Sequence, residues 1–210
     1  MKRDSLNTSM VILFLGALWG LAEATLGYVL HLIPVPGIAG MVMFPIGFYF
    51  MLKAYNSTGK IGSIFGVSAI AAGIKLVDLL LPIMPSKALN PAMSILLEGA
   101  FVMGFVLIVD VRKSSLFVPQ VLGLNLAWRV MFIVAQYLIL PQHGMFQAPT
   151  SVLIQFLALD TIVSGAIISI YLRSRGKSRS MATISTGKLV PIGILSLILA
   201  VGAEVGFGLL

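Results

Sequence analysis

Seven ionisable side chains sit where an apolar environment is expected. Glu23, Lys75, Asp78, Glu98, Arg129, Asp160 and Glu204 each interrupt a long apolar stretch, away from its ends. In a bilayer such a group costs at least about 2.5–3.5 kcal/mol on insertion scales, so it must face protein or water and usually marks function. Two kinds of chemistry are open to them. They can pair with one another: Lys75 and Asp78 are three residues apart and share a helix face, and Arg129 can reach across to Glu98 or Asp160. Alternatively, they can hold a ligand. Trp128 beside Arg129 offers a flat stacking surface next to a guanidinium suited to an anionic or carbonyl group.

Other polar residues fall in register with them. Asn90, Ser94 and Glu98 recur every four residues and line one helix face. Asn125, Trp128, Arg129 and Gln136 fall near one face of another helix. His31 and His143 sit in flanking loops, with no carboxylates at ligand spacing, so no metal site is expected. Thiolate chemistry is excluded because the chain has no cysteine. There is no H-E-x-x-H or G-x-S-x-G. "NSTGK" ends like a phosphate loop, but Ala54 stands where its first glycine belongs. Neither an enzyme nor a bound cofactor is expected.

The elements that position these residues are membrane helices. The 210-residue chain is 59% hydrophobic and 10% charged, with a mean hydropathy of +1.05, whereas soluble domains carry about 25% charged residues. Seven stretches are long enough for a hydrocarbon core of roughly 30 Å: about 9–33, 37–55, 61–83, 88–110, 115–141, 150–173 and 189–209. Short connections make them one membrane domain over 1–210, an all-α bundle. No cleavable signal is expected, since no A-x-A-like site follows the first apolar run.

Basic residues alternate between the two ends. Lys2, Arg3, Lys53, Lys60, Arg112, Lys113, Arg173, Arg175, Lys177, Arg179 and Lys188 fall at one end, and only Lys87 and His143 at the other. This bias predicts a cytoplasmic N-terminus and an external C-terminus in the cell membrane. It also accounts for the net charge of +7, with contact to anionic lipid rather than nucleic acid. In that orientation Glu23, Glu98, Arg129 and Asp160 lie near the midplane. Lys75, Asp78, Asn90, Gln136, Gln155 and Glu204 lie in the outer half, and almost nothing polar lies below. A proton or ion path needs polar groups across the whole membrane; a pocket open only outward needs this distribution. The outer loops "HLIPVPGIAG", "LPIMPSKALNPAMS" and "LPQHGMFQAP" are proline-rich and stiff, as lids would be. In the first helix Gly16, Gly20, Glu23 and Gly27 form a stripe, and Gly20 with Ala24 makes a small-xxx-small pattern for close helix packing.

The small residues Gly16, Gly20 and Ala24, the lid-like "HLIPVPGIAG" and "GKIGSIFGVSAIAAGIKLVDLLLP" together resemble the substrate-binding S component of energy-coupling factor (ECF) transporters, over about residues 9–173. Gly20-x-x-x-Ala24 stands where those proteins typically carry Ala-x-x-x-Ala, and a seventh helix follows the six-helix core. The resemblance implies capture of a vitamin, cofactor precursor or similar micronutrient from outside. The solute would pass inward on docking to a transmembrane coupling subunit driven by two cytoplasmic ATPases. The ligand-binding candidates are Glu23, His31, Lys75, Asp78, Asn90, Glu98, Asn125, Trp128, Arg129 and Asp160, with Gly16, Gly20 and Ala24 for helix packing. A proton- or cation-coupled secondary transporter or channel, an intramembrane enzyme and a structural subunit remain as alternatives.

Overall fold

The computed structural model describes residues 2–35, 37–109, 118–139, 145–175 and 186–208. His143, Arg112, Lys113, Lys177 and Arg179 lie outside the described residues. Among the described residues there is no strand, and seven helices are long and apolar enough to cross a membrane. They fall where hydropathy places them because a bilayer leaves the backbone no hydrogen-bond partner but itself.

The first helix, α1, runs Lys2–Ala22, then through a π-helical turn Glu23–Gly27 and a last α turn Tyr28–His31. Next come α2 (Ile38–Thr58) and α3, which runs Gly62–Lys75 and tightens to a 3-10 turn over Leu76–Leu80. They are followed by α4 (Pro85–Ile108) and α5 (Val118–Ile139). After a 3-10 turn at Met145–Gln147, α6 combines Thr150–Ile154, a second π turn Gln155–Leu159, and Asp160–Arg175. The last helix, α7, is Thr186–Gly208. One end of the bundle carries the proline-bearing connections 32–37, 81–84 and 145–149; the other carries Lys53, Lys60 and Arg173. These are called the proline end and the basic end.

Helices α1, α2 and α3 pack mutually, α4 lies on α3 and α5, and α6 closes back from α5 onto α2. Helix α7 lies along α1, with its C-terminal part against the end of α3. Close approaches depend on missing side chains. A Cβ on Gly16 or Gly20 would run into Ile70 or Ile74 of α3, and one on Gly47 would strike the Trp19 ring. The small-residue stripe of α1 is therefore filled by this chain's own α3. Ala24 is buried too, and Ala17, Ile74 and Ala200 join α1, α3 and α7 in a small apolar cluster. The main core mixes aliphatic side chains with seven buried aromatic ones: Trp19, Phe44, Phe48, Phe105, Trp128, Phe132 and Phe156. The outer surface exposes Leu107, Ile108, Leu138, Ile170 and Ile198. An apolar exterior this extensive is a lipid-facing one, so the protein is an integral membrane protein.

Candidate functional site: two cavities that share Glu23

Two cavities lie side by side in the proline half. The first, of about 580 Å³, is bounded by α1, α2, α4, α5 and α6 together with the 33–37 connection. Glu23, His31, Asn90, Ser94, Glu98, Trp128 and Gln136 contribute its polar groups, and Met43, Phe132, Met145 and Phe156 much of its apolar wall. The second, of about 560 Å³, lies between α1, α3, α4 and α7, lined by Tyr28, Lys75, Asp78, Lys87, Glu204 and Phe207 among others. Glu23, His31, Asn90 and Pro91 line both. Either volume suits a small organic molecule.

The cavities go no deeper than Glu98, about 20 Å along α4 from its start at 1.5 Å per residue. Beyond that level Phe44, Phe48, Met51 and Leu52 are fully buried, and none of them lines either cavity. The polar depth pattern of the sequence thus corresponds to a real division of the bundle.

Three of the membrane carboxylates sit at local backbone departures. Glu23 opens the π turn of α1, Asp160 follows that of α6, and Asp78 lies in the 3-10 turn of α3. Such turns inside α-helices recur at functional sites. Glu23 Oε1 accepts a hydrogen bond from Trp19 Nε1 at 3.0 Å, and Glu98 Oε1 accepts one from Ser94 Oγ at 3.1 Å. Gln136 Nε2 donates to Asn90 Oδ1 at 3.0 Å, while its Oε1 accepts from the Met145 amide at 2.8 Å, which fastens the 145–147 turn to α5 and α4. The His31 ring meets the Gly27 carbonyl through Nδ1 at 2.7 Å.

Lys75 pairs with Asp78 at 3.2 Å, as their spacing implies, and also with Glu204 of α7. The second partner is 129 positions away in sequence. No local pattern announces it; the only signal is another carboxylate in an apolar helix.

Arg129, Asn125 and Asp160 differ from the expectation that they touch ligand. None of the three lines either cavity. Arg129 is 0% exposed. Its Nη1 donates to the Asn125 carbonyl and Oδ1, and its Nη2 to the Asp160 carbonyl and Ser164 Oγ, at 3.1–3.3 Å. The guanidinium lies 4.5 Å from the Trp128 ring centroid, with Phe44 and Phe156 also within 6 Å. Aromatic rings thus flank it, and its Nη1 and Nη2 donate to neutral oxygens, while among the described residues its Nε has no hydrogen-bond partner. Among the described residues it makes no ion pair within 4 Å with Glu98, Asp160 or Glu23.

The physical root of this arrangement is Pro45. A proline inside α2 has no N–H for the carbonyl four residues earlier, on Met41. Ser164 Oγ donates to that carbonyl at 2.8 Å and accepts from Arg129. A vacancy in one helix is thereby filled from another, and α2, α5 and α6 are clasped at one level. Among the described residues the Asp160 carboxylate has no hydrogen-bond partner, and it lies against Gly37, whose φ of 80° and lack of a Cβ leave it room.

Sequence reasoning missed Phe132, Phe156, Met43 and Met145 as lining residues. They are ordinary apolar residues whose role comes only from which helices meet. Among the described residues no group of three His, Asp or Glu side chains is placed to hold a metal ion. The chain matches no family model, no curated protein and no solved structure.

Proposed function

We propose that this protein is the solute-capturing subunit of an uptake system, taking a small micronutrient from outside the cell into the first cavity. The observation that carries the reading is that both cavities are lined from the proline end no deeper than Glu98, above a level of fully buried aromatic and aliphatic residues. A binding subunit needs a pocket with one mouth; a channel needs a continuous path. With the basic end in the cytoplasm, the N-terminus is inside, the C-terminus outside, and the cavities open outward. The resemblance to S components supplies the rest of the proposal: a coupling membrane subunit and two ATPases drive release inward. That subunit docks elsewhere than on the Gly16–Gly20 stripe, which α3 occupies.

The test is purification in mild detergent followed by mass spectrometry of small molecules released on denaturation. One solute at near-stoichiometric amount is expected, bound without nucleotide. Vesicles containing this chain alone should bind that solute without accumulating it. Accumulation driven by an ion gradient through this chain alone would replace the proposal with a secondary transporter. Tags at residue 2 and within 174–187 should report the cytoplasm, and a tag at 210 the outside.

A further inference from the structure

The lining of the first cavity specifies the charge of its occupant. Its ionisable side chains are Glu23, His31 and Glu98, and neither carboxylate meets a cation within 4 Å among the described residues. Each is held through one oxygen by a single neutral donor, Trp19 or Ser94. The two candidate counter-ions are committed elsewhere. Arg129 stacks on Trp128 and donates to neutral oxygens. Lys75 is outnumbered by its own partners, Asp78 and Glu204. In the part of the bundle that holds the cavities, Glu23, Asp78, Glu98, Asp160 and Glu204 outnumber Lys75 and Arg129, and neither cation forms an ion pair with Glu23 or Glu98 among the described residues. Burying charge without a partner is costly, and a cation seated between two carboxylates recovers much of that cost.

The walls add shape. Trp128, Phe132 and Phe156 form an aromatic cluster with centroids 6.0–6.3 Å apart, set against Met43 and Met145. Such a surface takes a flat ring. Trp128 lines this cavity with a ring that is 1% exposed, and among the described residues its indole N–H, itself buried, has no hydrogen-bond partner.

We infer that the first cavity binds a flat nitrogen-containing aromatic cation, with its positive group at Glu23 and Glu98 and its ring against the Trp128, Phe132 and Phe156 wall. This rests on the solute-capture reading and adds the chemical class. It differs from the sequence reading in which Arg129 holds an anionic or carbonyl group.

Three isosteric probes separate the charge states: pyridine-3-carboxamidine (cation), pyridine-3-carboxamide (neutral) and pyridine-3-carboxylate (anion). Binding is read by calorimetry and by quenching of the chain's two tryptophans. Trp19 bonds Glu23 and Trp128 lines the cavity, so both report. The amidine is expected to bind the unmodified protein at least tenfold more tightly than the amide, and the carboxylate more weakly still. Glu98→Gln should shrink the amidine preference to threefold or less. Equal or tighter binding of the amide or the carboxylate, or an anionic copurified solute, would overturn the charge assignment and leave solute capture standing. Failure of all three probes to bind, together with no copurified solute, would overturn both.

Discussion

Arg129 and Lys75 are both cations within membrane helices, and the bundle treats them in opposite ways. Arg129 is flanked by three aromatic rings and gives its hydrogen bonds to uncharged oxygens of α5 and α6. Lys75 borders a cavity and meets two carboxylates, one from its own helix and one from α7. A planar, five-donor guanidinium can bridge several fixed acceptors at once, whereas a point-like ammonium works best against charge. The comparison separates a clasp from a site. What identifies a buried ionisable group as available to ligand is an unfilled space beside it, more than its charge or depth.

The largest expected effect comes from breaking the clasp. Arg129→Met removes donors from the Asn125 side chain, two carbonyls and Ser164, all buried, and should cost about 3–5 kcal/mol. The apparent melting midpoint in detergent should then fall by more than about 5 °C. A midpoint within about 2 °C of the parent would mean that Arg129 is not structural and would return it to the ligand candidates.

Lys75→Met should cost less, about 1–3 kcal/mol, since the cavity beside it admits water to the two carboxylates left behind. Adding Glu204→Gln should restore part of the loss, with a coupling of at least about 0.5 kcal/mol in a double-mutant cycle. Strict additivity would show that the α3–α7 pair contributes nothing in solution.

Gly37→Ala sharpens the same contrast from the loop side. The residue holds a left-handed φ of 80° with the Asp160 carboxylate where a Cβ would go. A penalty of about 1–2 kcal/mol is expected from the backbone alone, read as a lower midpoint. An unchanged midpoint would mean that the 32–37 connection adopts another path.

The smallest stability effect belongs to Glu23→Gln. The amide oxygen can still accept the Trp19 indole proton, so the midpoint should stay within about 2 °C, because a loss below about 0.5 kcal/mol moves it little. Solute retained through purification should nevertheless fall about tenfold or more, roughly 1.4 kcal/mol. Full retention would leave Glu23 a purely structural residue.

The spans were legible because hydropathy reports the one demand a bilayer makes of every helix. The seven expected stretches coincide with the seven helices to within a few residues. The Asn90–Ser94–Glu98 face was legible too, since four-residue spacing survives folding, and all three residues line the first cavity. The face of α5 is buried as its spacing implies, but it is not uniform. Asn125, Trp128, Arg129 and Gln136 are all buried, yet Trp128 and Gln136 reach the cavity while Arg129 lies behind the Trp128 ring. Spacing along one helix gives direction around its axis, but not which neighbour stands in front. The sequence left Arg129 free to bridge to Glu98 or Asp160; it bonds the Asp160 carbonyl rather than the carboxylate, and Ser164, which also accepts from Arg129, donates to the Met41 carbonyl that Pro45 leaves without its helical partner.

The π turn at Glu23–Gly27 has a consequence for how α1 is phased. Its hydrogen bonds span five residues where an α-helix spans four, so the rod absorbs one residue more than its length requires. Each residue of an α-helix advances the azimuth by about 100°. Everything beyond the turn, including Tyr28 and His31, is therefore clocked about a quarter-turn away from where an unbroken α-helix begun at Lys2 would point it. The two ends of α1 face different neighbours by virtue of one surplus residue. Excising Thr25, whose hydroxyl already bonds back to the Leu21 carbonyl, would re-index the outer end against an inner end left in place. That rotation would first pull Tyr28 off the Phe207 ring of α7, on which it stacks.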